Sequence, residues 1–375
     1  MTTDWDDLRR WPDVEAANLQ AWDATDRLLL DEAGSLPTGP DDVVVIGDRH
    51  GALTLGALAS GASRVRVHQD GVLGERALVA NAERRGLGRD GDRMPFRHHP
   101  LDASLVEGAR VVLLQLPRSL DELDEVAQLV AAHAHPEVRL IAGGRVKHMS
   151  RTMNDVLAQS FHEVHASLAR QKSRVLHASG PRPNVTLSWP QSQRHDDLGL
   201  TVVAHGGVFA GNGIDIGTRL LLDHIPSMRA AERAVDLACG SGVVAAALAL
   251  ARPDLAVLAT DQSAAAVAST RATAAANGVG DRVEVVRADG LETVETGSAQ
   301  LVVLNPPFHV GAAVHTGLAE RLFDDAARAL EPGGELWCVW NTALNYRPYL
   351  DKVIGSTKQV QRTTKFTLTS SRRRA

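Results

Sequence analysis

Short apolar runs alternate with longer stretches of helical periodicity along the whole chain. In the first half the runs are Val43–Ile46, Val65–His68, Val111–Leu114 and Val138–Ile141. In the second half they are Ala234–Leu237, Leu255–Thr260, Val283–Val286, Leu301–Leu304 and Glu335–Trp340. Runs this short and this rich in Val, Ile and Leu predict buried strands, with helices between them. The two sets superpose at a nearly constant offset. Gly51 falls on Gly242 and Asp70 on Asp261, both 191 residues apart, and Pro117 falls on Pro307 at 190. Arg174–Ser179 falls on Lys365–Ser370, again at 191. Such an offset predicts two copies of one α/β domain, each a doubly wound sheet. The copies are expected over residues 1–180 and 198–375. The stretch 181–197, rich in Pro, Ser, Gln and Arg without periodicity, is expected to link them.

The second copy carries the candidate chemistry. Its first strand contains Asp236 and runs through Ala238-Cys-Gly-Ser-Gly242 into an apolar helix. A strand, a glycine turn and a helix start let a cofactor approach the backbone closely, at Gly240 and Gly242. A dinucleotide fingerprint needs a third glycine where this chain has Ala245, so a nicotinamide oxidoreductase is disfavoured. Asp236 is placed to meet a cationic amino group. Asp261 ends the next strand and can accept two ribose hydroxyls, with Gln262 beside it. Asp289, followed by Gly290, can accept an exocyclic adenine amine. The fourth strand ends in Asn305-Pro-Pro-Phe-His309. Two consecutive prolines remove backbone donors and hold φ near −65°. The stiff turn offers the Asn305 amide oxygen and the Pro306 carbonyl to a planar amine, and Phe308 can stack on its ring. His309 either orients the turn or touches the substrate. Polar residues thus stand at the carboxyl ends of four successive strands, where doubly wound sheets bind ligands.

On these residues the second half resembles a class I S-adenosylmethionine-dependent methyltransferase. The segment Gly207–Leu222 narrows the resemblance to the ribosomal RNA guanine-N2 methyltransferases of tandem-domain type, with a C form for the small ribosomal subunit and a G form for the large. The resemblance implies S-adenosylmethionine as cofactor and the N2 amine of a guanine in ribosomal RNA or an assembled ribosomal particle as substrate. It also implies that Asp215 and Gly217 open a helix beside the cofactor, and that Asn305, Pro306, Pro307 and Phe308 form the catalytic turn. An adenine N6 or a glutamine side chain is an alternative target of such a turn. A non-catalytic RNA-binding assembly factor is an alternative of another kind, disfavoured by the complete second copy.

The first copy lacks the motif. Asp48, Arg49 and His50 stand where the second has Cys239, Gly240 and Ser241. Val45 replaces Asp236, His98 replaces Asp289, and Gln115–Arg118 replaces Asn305–Phe308. The fold is expected to survive there without the site.

Bulk properties change this picture only at the edges. With 375 residues, 44% hydrophobic and 23% charged, two packed domains are expected, and the net charge of −5 argues against a uniformly basic coat. Yet Arg139–Arg182 holds eight Lys or Arg against two acids, and 357–375 holds six and no acid. Arg145, Lys147 and Arg151 are therefore candidate RNA contacts. Two cysteines and no H-E-x-x-H spacing suggest neither a disulfide framework nor a metal. The acidic, polar amino terminus and the absence of a run of ~20 apolar residues lead us to expect a cytoplasmic protein without a membrane span. The internal duplication favours a monomer.

Overall fold

The computed structural model describes residues 5–88, 93–306 and 315–374. The chain forms two units, Met1–Trp189 and Pro190–Ala375.

In the second unit the strands are β10 (Arg233–Leu237), β11 (Ala256–Asp261), β12 (Val283–Arg287), β13 (Ala299–Leu304), β14 (Leu330–Asn341), β15 (Thr357–Arg362) and β16 (Phe366–Arg372). They form one sheet in the order β12-β11-β10-β13-β14-β16-β15. All pairings are parallel except those of β16, which runs antiparallel to β14 and β15. The central strand β13 shows why the apolar runs are continuous. Leu301 and Val303 belong to one core cluster and Val302 and Leu304 to another. Alternate side chains leave a strand on opposite faces, and here both faces are covered. One face carries α7 (Ile216–Leu222), α8 (Val243–Ala251) and α9 (Ala264–Ala276); the other carries α10 (His315–Ala329) and α11 (Arg347–Val353). Trp337 and Trp340 are buried, one in each cluster.

The first unit repeats the order as β3-β2-β1-β4-β5-β7-β6. Its strands are β1 (Val43–Ile46), β2 (Val65–His68), β3 (Phe96–His98), β4 (Val111–Gln115), β5 (Arg139–Arg145), β6 (Phe161–Ala166) and β7 (Ser173–Pro181). Here β7 is the antiparallel strand. Helices α1 (Ala24–Ala33), α2 (Ala52–Ala59) and α3 (Val72–Arg84) pack on one face. Helices α4 (Ala103–Val106), α5 (Leu120–His133) and α6 (Thr152–Ser160) pack on the other. The doubly wound sheet expected from the repeat is therefore present in both units.

The stretch expected as a linker is partly regular. Gln191–His195 is a strand, β8, paired antiparallel with β9 (Leu200–Ala204). β8 is mostly exposed, so selection for apolar alternation is absent and the sequence shows none. β9 docks on α9 through side chains rather than through a third strand. The Thr201 N–H donates to Asn277 Oδ1 at 2.9 Å, and the Val203 N–H to Thr273 Oγ1 at 2.9 Å. The His205 N–H donates to Ser269 Oγ at 3.0 Å. Ser269, Thr273 and Asn277 recur every four residues and line one face of the helix. This ladder aims the following segment, 205–215, at the carboxyl edge of the sheet.

Candidate active site

The first βα turn of the second unit is held from three directions. Asp236 lies inside β10, 3% exposed, and its Oδ2 accepts the Ala245 N–H at 2.9 Å. Ala245 is in the first turn of α8, where backbone N–H groups have no partner within the helix. Gly242, the residue before α8, sits at φ 77°, and a Cβ there would meet the Cα of Thr270 at 2.8 Å. That glycine is required by the packing of α8 on α9, whatever else the turn binds. Gly240 differs: it sits at φ 56°, and a Cβ there would meet nothing within 4 Å. Its N–H donates to Asp261 Oδ2 at 3.0 Å, and its carbonyl accepts from Thr270 Oγ1 at 3.0 Å. Ala238 is left-handed at φ 58°, a conformation unfavourable for alanine by ~1–2 kcal/mol. The loop is thus rigid, strained and open on the Gly240 side. Cys239 is buried, its thiol pushed well up by burial, and it packs at 3.2 Å from Thr270 Oγ1.

Asp261 ends β11 and also accepts the Ser263 N–H at 2.9 Å through its other oxygen. Gln262 is exposed, and its carbonyl accepts from Arg287 at 3.2 Å. Asp289 lies beyond β12 with its Oδ1 2.5 Å from Arg321 Nη2 on α10. Gly290 follows at φ 58°, too close to Asp325 for a Cβ. The Asp289 carboxylate is therefore shared with an arginine, a partner that spacing alone could not reveal.

Asn305 ends β13 and meets the residues that open α7. Asp215 caps that helix: its Oδ1 accepts the N–H of Gly217 at 2.8 Å and of Thr218 at 3.3 Å. Its Oδ2 accepts the Thr218 hydroxyl. Asn305 Nδ2 donates to Asp215 Oδ2 at 3.2 Å and to Thr218 Oγ1 at 2.9 Å. Asn305 Oδ1 is buried and has no hydrogen-bond partner among the described residues. A Cβ at Gly217 would be a tight fit, 3.1 Å from Asp215 Oδ1 and 3.3 Å from the Phe366 ring. Pro306 is buried, while Pro307, Phe308 and His309 lie outside the described residues. Thr218 was not legible as a site residue, although Asp215-x-x-Thr218 is an ordinary cap spacing that marks a helix start. Phe209 and Ile216, 55% and 60% exposed, stand out as large apolar groups in the same entry segment.

Asp236, Gly240, Asp261 and Asn305 thus gather at the carboxyl edge of β10, β11 and β13, with Asp215 brought in from α7. Burial, followed by the nearby Asp261 charge, pushes the Asp236 carboxyl up to about 7. No group of metal-ligating side chains occurs among the described residues.

The first unit has a different edge. Asp48 takes over the helix cap, accepting the Gly51 N–H at 2.9 Å and the Thr54 N–H at 2.8 Å. Gln115, in place of the Asn305 region, donates to Asp26, whose carboxyl is raised to about 7 by burial and by Asp48. His50 pairs with Asp13 at 3.0 Å. The cavity bounded by Trp22, Asp26, Asp48, Arg49, His50 and Gln115 is only about 50 Å³, room for a few waters. Outside it, Arg145 ends β5, and Lys147 and Arg151 are exposed just beyond. His148, itself exposed, is held below its usual range by slight desolvation and by the charges of Arg118, Lys147, Arg49 and Arg145. The carboxyl-terminal arginines behave otherwise. Arg373 donates to the Arg328 and Leu330 carbonyls and Arg374 to that of Asp351, so both are tied into the fold.

Comparison with known proteins matches each half of the chain to a family of its own. The "Methyltransferase small domain" family matches residues 199–370, and the "RLMG N-terminal domain" family matches residues 2–182. The structure of T. thermophilus 16S rRNA N2 methyltransferase RsmC, in complex with AdoMet and guanosine, superposes with TM-score 0.75. That match is 21% identical and covers 94% of this chain and 92% of the other. The fold and the family models therefore define a two-domain protein whose second half is a methyltransferase domain. Ribosomal RNA large subunit methyltransferase G of Streptomyces avermitilis is 37% identical over 98% of this chain and 97% of its own length. The protein of the same name from Pseudomonas aeruginosa is 38% identical, with 96% of each chain covered. The chain belongs to the ribosomal RNA large subunit methyltransferase G family.

The Asp236 carboxyl gives a pH test. Its ordinary value is 3.8 and its folded value about 7, so the folded state binds the proton more tightly. Its contribution to stability is full below about pH 4 and is lost as pH rises to about 7. Asp236→Asn keeps an acceptor for the Ala245 N–H but removes the titration. Thermal melts of the ligand-free protein across this range should show the wild type losing stability relative to the variant with rising pH. Parallel curves would contradict the assignment.

Proposed function

We propose that this chain transfers a methyl group from S-adenosylmethionine to the exocyclic N2 amine of a guanine in large-subunit ribosomal RNA. The observation that carries the reading is the Asn305 amide, held with its oxygen buried and unpartnered at the end of β13. An acceptor in that state is complementary to an N–H donor. Family membership supplies the substrate class.

The cofactor fits the second unit's edge. Gly240 leaves space for a close backbone approach, Asp261 offers carboxylate oxygens suited to ribose hydroxyls, and the buried Asp236 carboxyl suits an ammonium group. Ala238, Gly242, Gln262 and Gly290 shape the same loops, and Asp289 can share its carboxylate between Arg321 and an adenine amine. S-adenosylmethionine, when bound, supplies the methyl group and takes the leaving electron pair. The protein's own work is placement. A guanine N2 lone pair is delocalised into the ring, which makes it a poor nucleophile. Donating its two N–H groups to Asn305 Oδ1 and the Pro306 carbonyl draws the nitrogen toward sp³ geometry and aims the lone pair. Such positioning contributes ~7–11 kcal/mol in well-oriented reactions. The proton leaves to solvent after transfer, so no dedicated base is required. Phe308, which lies outside the described residues, is assigned to stack on the base.

The first unit serves as the RNA-docking half and binds no cofactor. The Asp48 cap supports this, as do the half-buried Arg145 and the exposed Lys147 and Arg151, none of which has an ion-pair partner among the described residues. Arg49 and Arg118, close to His148, extend the same cationic edge. The protein works in the cytoplasm as a monomer, its two halves being linked in one chain; among the described residues no helix is long and apolar enough to cross a membrane.

Asn305→Ala should lower methyl transfer by ~10²–10³-fold, as loss of a transition-state contact does, while calorimetry shows cofactor affinity nearly unchanged. Retained turnover would refute the assignment. Replacing Arg145, Lys147 and Arg151 together by Glu should weaken binding to large-subunit RNA on the order of tenfold or more and flatten its dependence on salt. An unchanged salt slope would remove the docking role.

A further inference from the structure

The two ends of an asparagine amide are nearly the same shape, so packing alone does not decide which one faces a ligand. Hydrogen bonding decides it here, and we infer that Thr218 and Asp215 are the positioning residues that set it. The inference rests on the reading of Asn305 as the amine acceptor.

Asp215 is acceptor-only when ionised. Its Oδ1 is engaged by the Gly217 N–H at 2.8 Å, and its Oδ2 by the Thr218 hydroxyl. Thr218 has one hydroxyl proton, and that proton goes to Asp215. Toward Asn305 the threonine therefore presents only lone pairs. Asn305 meets Thr218 Oγ1 at 2.9 Å and Asp215 Oδ2 at 3.2 Å, and both are acceptors. The Nδ2 end, with its two protons, matches both. The reversed amide would set Oδ1 against two oxygens with no proton available to either contact. A buried mismatch of that kind leaves polar groups unsatisfied and is unfavourable. The Oδ1 end is consequently left buried without a partner and ready to accept.

The consequence is a specificity device as well as a catalytic one. The site shows a fixed acceptor, so a substrate atom there must be a donor, as an exocyclic amine is and a ring carbonyl is not. Sites that demand a hydrogen bond discriminate strongly against groups that cannot make it. The Asp215 carboxylate, which accepts from both Thr218 and Asn305, also polarises the amide and strengthens Oδ1 as an acceptor.

Three variants test this in the full-length protein, with large-subunit RNA from a strain lacking the gene as methyl acceptor. Thr218→Val removes the acceptor and keeps the shape. Asp215→Asn keeps a good helix cap but offers an amide N–H toward Asn305, which favours the reversed amide. Thr218→Ser keeps the hydroxyl. The expected result is a fall in kcat on the order of 10²-fold for Thr218→Val and Asp215→Asn, KM for RNA within about threefold, and melting temperatures near wild type. Cofactor affinity should be unchanged in Thr218→Val, and Thr218→Ser should restore most of kcat. If Thr218→Val fails to fold, Asp215→Asn with its intact cap decides. Wild-type kcat in either folded variant, or an equal loss in Thr218→Ser, would overturn the inference while leaving the role of Asn305 standing. Normal turnover in Asn305→Ala would instead remove the underlying reading.

Discussion

The carboxylate of Asp215 holds the active edge together. It caps α7, accepts hydrogen bonds from the Thr218 hydroxyl and the Asn305 amide, and so joins residues 90 positions apart in the chain. Each contact constrains the others. The cap fixes where α7 begins, and that start sets Thr218 against the end of β13. Gly217 keeps the same helix start close against Phe366 on β16, where a Cβ would be a tight fit. The entry segment reaches this point already aimed, because Ser269, Thr273 and Asn277 hold the preceding strand on α9. A surface hairpin and a helix face thus determine the geometry of one amide oxygen.

The two halves solve the same helix-capping problem with different acids, and the loops that follow differ accordingly. A buried helix start needs an acceptor for its third amide. In the second unit Asp236 supplies it from within β10, which leaves the following loop free to use glycine and stay open. In the first unit Asp48 supplies it from the loop itself. The loop then carries Arg49 and His50, and the space closes to a small polar cavity. One sheet order is compatible with both outcomes because the strands and their two-sided cores are untouched.

Much of this was legible in the sequence, for identifiable reasons. Parallel strands buried on both faces, such as Val43–Ile46 and Leu301–Leu304, must be apolar throughout, so they announce themselves. Asn305 and Asp261 were visible because polar residues at the ends of such strands stand out. The hairpin β8–β9 was not, because its partner is a row of Ser, Thr and Asn that reads as an ordinary solvated helix face. Thr218 was hidden in the same way, as an unremarkable residue in a helix's first turn. Arg373 and Arg374 looked like a basic tail, yet they saturate carbonyls of the fold, a use that depends on where the chain returns. Gly242 stands out in the sequence as a point of ligand approach, and the structure supplies a packing reason that needs no ligand.

The central claim is that the second unit methylates guanine N2 in large-subunit ribosomal RNA. The most direct measurement is mass mapping of ribosomal RNA nucleosides from a strain lacking the gene, alongside the parent. Loss of one N2-methylguanosine, confined to the large ribosomal RNA and restored by the intact gene, is the predicted result. An unchanged set of N2-methylguanosines, or the loss of a different methylated nucleoside, would contradict the account.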